Sequence, residues 1–328
     1  MRTSELSPYE PTATRVGFGC GTLMQSPSAQ HRQRLLAEAY EQGIRHFDVA
    51  RMYGLGAAER ELGQFARKYR DQIVIATKFG IEPTGSAGRL ARLQGPARAA
   101  AARFPALRDA IKRRSDAFHQ PHRYDSATAR ASLETSLREL GTDYVDILFI
   151  HDPAPGDHVD MTELSEVLEE LRQAGRVRAW GLAGEPDPCI GLSKAMGARA
   201  VLQVRDSILD ETLARIDPAR SAITFGILSR ALKQIHGHIS RSDEQRSRWS
   251  KIVGQDCGRP EVISSLLLQD ALERNRKGTV LFSTTRPERV EAASIAVETL
   301  SREPDPASLR AFRELVRTEL TTSAPASG

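Results

Sequence analysis

Residues 143–151 read DYVDILFIH, an apolar run from Val145 to Ile150 interrupted only by Asp146, which ends on His151 and is followed by Asp152 and Pro153. A short run of this kind, bounded by turn-forming residues, reads as a strand buried on both faces, as in a parallel sheet. Two further runs share its form: QIVIATK (72–78) ends on Lys78, and IRHFDVA (44–50) carries Asp48, with Tyr53 five residues beyond it. Four ionisable side chains thus sit at or just past the C-terminal ends of apparent strands. On a closed barrel of parallel strands that rim is where chemistry takes place.

The rest of the chain keeps the alternation. RVGFGCG reads as a first strand and turn, AQHRQRLLAEAYEQG as an amphipathic helix stopped by Gly43, and GAAERELGQFARKY as the next helix. Beyond His151 the segments VRAWGLAG, AVLQV, SAITFG and TVLFS read as strands, separated by helical stretches such as MTELSEVLEELRQAG and RPEVISSLLLQDALERN. Eight βα units predict an α/β fold, a (β/α)8 TIM barrel, spanning residues 1–317 as one domain. Two connections exceed ordinary βα loops: residues 82–125 after the third strand and 229–257 after the seventh are expected as inserted loops on the catalytic rim, the first a candidate lid. Residues 318–328, ending in TTSAPASG, are expected to be a disordered tail.

Composition fits a globular enzyme, with 40% hydrophobic and 27% charged residues. No apolar stretch approaches the length of a membrane span and the first residues lack a secretory pattern, so the expected compartment is the cytoplasm, with no membrane partner. A net charge of +4, spread along 328 residues, does not imply nucleic acid. Cys20, Cys189 and Cys257 are too few and too widely spaced for a disulfide framework and are expected to be reduced. His46, inside the second strand, is expected to be a packed or hydrogen-bonded structural residue.

The stretch GIRHFDVARMYGLGAAERELG (43–63) resembles the aldo-keto reductase signature, with Gly43, Asp48, Tyr53, Gly54, Glu59 and Gly63 matching its pattern and spacing. ATKFG around Lys78 and ILFIHDP around His151 resemble that family's next two landmarks, and the HDP form is most similar to its bacterial sugar and pyridoxal dehydrogenase branch. The chemistry explains the residue types. Carbonyl reduction needs hydride at carbon and a proton for the oxygen as negative charge develops there. A tyrosine, with a pKa of ~10, holds a proton at neutral pH; a nearby ammonium is expected to lower that pKa, and a carboxylate to fix the ammonium in place. The resemblance implies these roles for Tyr53, Lys78 and Asp48, with His151 orienting the carbonyl. The implied substrate is a small aldehyde, ketone or sugar-like molecule.

The resemblance also implies a nicotinamide cofactor. Gln203 resembles the residue that contacts the carboxamide, Phe225 the aromatic that stacks on the ring, and Gly226 and Leu228 backbone neighbours of the pyrophosphate. Ser283, Thr284, Arg286 and Arg289, in VLFSTTRPERVEAA, lie where the family binds the adenosine phosphate. A helix start with two guanidinium groups suits a 2′-phosphate, so NADP(H) is expected over NAD(H). Two departures stand out: Ala183-Gly184 where the family commonly has Ser-Asn, and Ala292-Ala293 where it has a polar pair.

Other readings are weaker. Gly17, Gly19 and Gly21 form G-x-G-x-G rather than a dinucleotide-binding turn, and a Rossmann reading leaves Tyr53, Lys78 and His151 without roles. Metal-hydrolase readings through His151, Asp152, Asp157 and His158, or His236 and His238, lack a third ligand on a rigid element. A non-enzymatic alternative is a barrel with weak or lost catalysis that serves as a nucleotide-sensing or binding subunit, compatible with the missing polar contacts. The sequence fixes neither substrate identity nor oligomeric state.

Overall fold

The computed structural model describes residues 13–26, 28–83, 121–196, 201–217 and 222–321. Eight strands close into a barrel in sequence order: β1 (Val16–Gly19), β2 (His46–Asp48), β3 (Val74–Phe79), β4 (Val145–His151), β5 (Val177–Gly184), β6 (Val201–Arg205), β7 (Ala222–Phe225) and β8 (Thr279–Phe282). Every pairing is parallel, including β1 with β8. Around them run α1 (Ala29–Glu41), α2 (Ala57–Ala66), α3 (Ser126–Leu140), α4 (Met161–Gln173) and α5 (Pro186–Ser193). The second half adds α6 (Ser229–Ile239), α7 (Asp243–Val253), α8 (Pro260–Arg274), α9 (Pro287–Arg302) and α10 (Ala307–Val316). The helix starts follow local rules: Ser28, Asp125, Asp160 and Ser242 each accept a first-turn backbone N–H, and α5, α8 and α9 open on proline.

Two apolar clusters result. The larger lies between strands and helices; the smaller fills the barrel with Val74, Ala76, Ile147, Phe149, Ala179, Ala183, Val201, Ile223 and Leu281. Strand side chains alternate between faces, so Asp48 lies two residues above His46, Lys78 two above Ala76, His151 two above Phe149 and Gln203 two above Val201. All four therefore point inward at the C-terminal end. His46 is fully buried beneath Asp48, and its ring nitrogens have no hydrogen-bond partner among the described residues. It is packed rather than hydrogen-bonded, and burial, with Lys78 adding to it, pushes its pKa down to about 3, so it is neutral.

Two expectations change. Residues 229–257 are not a loop: they hold α6 and α7, because Ala231, Ile235 and Ile239 repeat at helical spacing and bury, and Ser242 caps the second helix. The expected tail begins later. Arg317–Thr321 form a π-helical turn in which the Glu319 carboxylate accepts from Gln245 (2.8 Å), Trp249 Nε1 (3.2 Å) and Arg248, with His238 Nε2 at 2.8 Å. Helix α10 buries Leu309, Phe312, Leu315 and Val316, an element the strand-and-helix alternation does not require. Most of the candidate lid, residues 84–120, lies outside the described residues, as do 322–328. Its described ends are pinned: Arg123 N–H donates to Gly80 O at 3.0 Å and Tyr124 OH to His151 O at 2.7 Å.

The loop carrying Tyr53 is fixed by a buried charge network. Gly54, Leu55 and Gly56 all have left-handed backbone, with φ of 57°, 56° and 87°, which turns the chain sharply from Tyr53 into α2. Below the turn Arg51 donates to Glu59 at 2.5 Å and to Glu82 at 3.2 Å; Glu59, fully buried, also accepts from Thr77 at 2.7 Å. One guanidinium thus ties the Tyr53 loop to α2 and to the exit of β3. Removing it would strand a buried carboxylate, a loss in the range of about 3–5 kcal/mol. Arg51→Met should therefore lower the unfolding free energy by about 3 kcal/mol in urea titration. A second expected outcome concerns strand packing: a Cβ at Gly181 would lie 1.8 Å from Val201 O, across the β5–β6 pairing. Gly181→Ala should cost about 3 kcal/mol, the upper end for overpacking, in the same measurement.

Candidate active site

At the C-terminal rim a cavity of about 660 Å³ opens above the barrel core. Its floor is Asp48, Tyr53, Lys78 and His151, brought together from β2, the β2–α2 turn, β3 and β4. The Lys78 ammonium donates to both oxygens of Asp48 at 2.6 Å and to Val49 O at 2.9 Å, which takes up all three of its N–H bonds. Both side chains are almost fully buried. Such a pair survives desolvation only with geometry of this quality. Burial pulls the Asp48 pKa up, and the Lys78 ammonium and the Gln203 amide pull against it.

Tyr53 is half-buried, with Lys78 Nζ 5.2 Å from its ring centroid and the His151 ring edge-on at 6.0 Å. The sequence leads one to expect Lys78 to lower the Tyr53 pKa; in this structure the balance runs the other way. Burial first, then Asp48, Cys20 and Asp152, hold the Tyr53 pKa well above the ordinary tyrosine value. Burial is the largest of these, and the three N–H bonds of Lys78 face Asp48 and Val49 rather than the phenol. Tyr53 is therefore a firmly protonated hydroxyl, able to donate a proton once charge develops on an oxygen beside it.

The remaining candidates divide. Gln203, Phe225, Gly226, Leu228, Ser283, Thr284 and Arg289 all line the cavity, as do Ala183, Gly184, Ala292 and Ala293. Arg286 does not; it is the N-cap residue of α9. The backbone donors expected at this helix start are mostly engaged, since Arg286 N–H donates to Thr284 Oγ1 at 3.1 Å, Arg289 N–H to Arg286 O at 3.1 Å, and Pro287 has none. What stays open is the cations. The guanidinium groups of Arg286 and Arg289 have no partner among the described residues.

Sequence reading gave no place in this site to several residues that stand in or beside the cavity. Arg205, at the end of β6, pairs with Glu185 at 2.7 Å and lies 5.3 Å from the Phe225 ring centroid, bracing that ring from the rim. Asp152 follows His151 with left-handed backbone, φ 48°, and lines the wall between β4 and β5. Cys20 is fully buried close to Asp48 and Tyr53, and burial raises its thiol pKa, so it stays protonated. The position of Asp152 directly after a strand-end histidine was the available signal; the Arg205–Glu185 pair, 20 residues apart, had none. The three cysteines are free and buried. Among the described residues no cluster of three His, Cys, Asp or Glu has metal-holding geometry, and no helix is long and apolar enough to cross a membrane. Gly17 and Gly19 lie in a barrel strand, packed against β8 and its exit, not in a dinucleotide-binding turn.

Comparison with known proteins agrees with this architecture. The chain is 32% identical over 178 residues to D-threo-aldose 1-dehydrogenase of a Pseudomonas species, an alignment covering 51% of this chain and about half, 49%, of that protein. Over a longer span it is 28% identical to the aldo-keto reductase YhdN of Bacillus subtilis, covering 81% of this chain and 74% of the relative. Among solved structures, an aldo-keto reductase from Bacillus halodurans in its holo form superposes with a TM-score of 0.67 at 23% identity, covering 95% of this chain and 94% of that one. An aldo-keto reductase from Klebsiella pneumoniae in complex with NADPH superposes at 0.62 and 19% identity, covering 92% and 93%. Residues 15–189 match the Aldo/keto reductase family as a whole. With that match extending over more than half of its length, and with the eight-stranded barrel and the buried Lys78–Asp48 pair beneath Tyr53, the chain belongs to the aldo/keto reductase family.

Proposed function

We propose that this protein is an NADP(H)-dependent oxidoreductase that interconverts a small carbonyl compound, an aldehyde, ketone or sugar, and its alcohol, with Tyr53 as the general acid and base. The observation that carries the reading is the juxtaposition of a firmly protonated tyrosine, a saturated Lys–Asp pair and a histidine on the floor of one cavity. When bound, the nicotinamide supplies the hydride. The chain's own part is the proton: Tyr53 OH donates to the substrate oxygen, and Asp48, through Lys78, keeps a positive charge beside the tyrosine ring as it becomes anionic. His151 stands edge-on to Tyr53 and orients the same oxygen.

The residues present fit a nicotinamide nucleotide. Gln203 is buried, its amide hydrogen-bonds Asp48, and its Oε1 has no partner among the described residues, which leaves an acceptor in the cavity for a carboxamide N–H. Phe225, braced by Arg205, offers a flat apolar face. At the far end Arg289 lines the cavity with an unpartnered guanidinium, and Arg286 stands close by at the start of α9. That supports a 2′-phosphate and hence NADP(H) over NAD(H). A solved relative in the fold comparison binds NADPH, and a sugar dehydrogenase is among the sequence relatives. The same chemistry makes a binding-subunit role less fitting, because all four proton-handling groups are in place.

Two outcomes are expected. Tyr53→Phe should reduce aldehyde reduction by roughly 10²–10⁴-fold while calorimetry shows NADPH affinity within about twofold of wild type, an interval set by the absence of any removed cofactor contact. Because the Tyr53 pKa is raised, its proton is present throughout the neutral range: reduction should show no loss assignable to Tyr53 below a pH of ~10, whereas alcohol oxidation, which needs the tyrosinate, should accelerate steadily as pH rises. Coincident pH profiles in the two directions would remove Tyr53 as the acid. Separately, Arg289→Leu should weaken NADPH about tenfold, since a charge-assisted hydrogen bond contributes roughly 1.5–3 kcal/mol, and leave NADH affinity nearly unchanged in parallel titrations.

A further inference from the structure

At the end of β5, Ala183 and Gly184 line the cavity but offer no side-chain hydrogen bond between Gln203 and His151. The register places His151, Ala183 and Gln203 in one row across β4, β5 and β6. Asp152 stands one residue beyond that row. Its left-handed backbone, φ 48°, is a conformation that residues with side chains rarely adopt. Its N–H donates to Ala183 O at 2.5 Å, which draws residue 152 over the end of β5. A Cβ at Gly184 would then lie 2.8 Å from both Cα and Oδ1 of Asp152. Only glycine fits at 184, and the polar group occupying that space is the Asp152 carboxylate.

The two carboxylates of this rim are not equivalent. Glu185 is held by Arg205, with Nε at 2.8 Å and Nη2 at 2.7 Å from its Oε1. Asp152 uses only Oδ1, which accepts Glu185 N–H at 3.3 Å; Oδ2 has no hydrogen-bond partner among the described residues, and the residue lines the cavity. Across β5 the buried Gln203 Oε1 is likewise without a partner. Two acceptors on either side of one strand end match a group with two N–H donors on one nitrogen, which is what a primary carboxamide presents.

We propose that Asp152, together with Gln203 Oε1, holds the carboxamide NH2 of the nicotinamide ring, taking the place of a side chain that Gly184 cannot carry. This assignment rests on the reductase reading. It predicts a chemical selectivity: a cofactor whose carboxamide is replaced by an acetyl group, with a methyl where the NH2 stood, loses the contacts to both Asp152 and Gln203 Oε1, so that Asp152 no longer matters to its binding.

The test is calorimetric titration of wild type, Asp152→Gly and Asp152→Asn with NADP+ and with its 3-acetylpyridine analogue. Glycine tolerates the left-handed backbone, and asparagine keeps both that tolerance and an acceptor oxygen. Wild type should bind NADP+ more than about tenfold more tightly than the analogue, which lacks both N–H donors. Asp152→Gly should lose about tenfold for NADP+ and less than about twofold for the analogue, with Asp152→Asn in between, since tenfold corresponds to about 1.4 kcal/mol, one hydrogen bond to a charged acceptor. The analogue carries the same ring charge, so a purely electrostatic role of Asp152 would weaken both ligands equally and overturn the assignment. Unchanged NADP+ affinity in Asp152→Gly would also overturn it. Failure of wild type to bind either nucleotide would sink the reductase reading itself, and the Asp152 assignment with it.

Discussion

Closure of eight parallel strands into a ring gives every strand one inward face, and residues two apart along it are inside together. The site depends on that parity. Phe149 fills the core and His151 therefore reaches the cavity; Ala76 packs and Lys78 follows it; His46 is buried dry and Asp48 lies directly above. A one-residue shift in any of these strands would turn its functional side chain into the helix layer. At the β5–β6 pairing the strands approach so closely at Gly181 that no larger residue fits against Val201. The packing that stabilises the barrel is thus the same packing that aims the polar groups upward.

Charge in such a place must be compensated locally. Lys78 is saturated by Asp48 and Val49 O, Glu59 by Arg51 and Thr77, and Asp146 by Arg70 and Arg178, the last holding a carboxylate at the foot of β4 whose pKa burial raises. These networks do different work. The Asp146 group locks strand ends far from the cavity, the Glu59 group carries the loop of Tyr53, and the Asp48 group faces the tyrosine itself. Burial, with Asp48, Cys20 and Asp152 adding to it, keeps the Tyr53 phenol protonated, beside an ammonium whose three N–H bonds are already engaged.

The strands were legible because buried parallel strands are short apolar runs, and all eight fall within one or two residues of those runs. Asp48, Lys78 and His151 were legible because each stands at the end of such a run, and Tyr53 because it follows one in the signature-like stretch 43–63. Residues 229–257 misled because α6 and α7 expose most of their surface, so Arg, Asp and Ser obscure the period carried by Ala231, Ile235, Ile239 and Trp249. The turn at Arg317–Thr321 was hidden for another reason: its order comes from four donors gathered around Glu319 out of α6 and α7, none of them local. The Arg205–Glu185 brace on Phe225 is likewise a pairing between strand ends that proximity in sequence does not encode.

By itself the sequence determined the barrel and the placement of Asp48, Lys78 and His151 at strand ends, with Tyr53 just beyond, since these follow from local periodicity and from the residue type at a strand end. Only the tertiary structure decided how those residues behave. It set the direction of the Tyr53 pKa, because burial and the neighbouring Asp48, Cys20 and Asp152 depend on chain segments far apart in sequence. It also turned the apparent deficit at Ala183-Gly184 into a packing consequence of Asp152, because the left-handed turn after β4 brings a carboxylate to within 2.8 Å of where a side chain on β5 would begin.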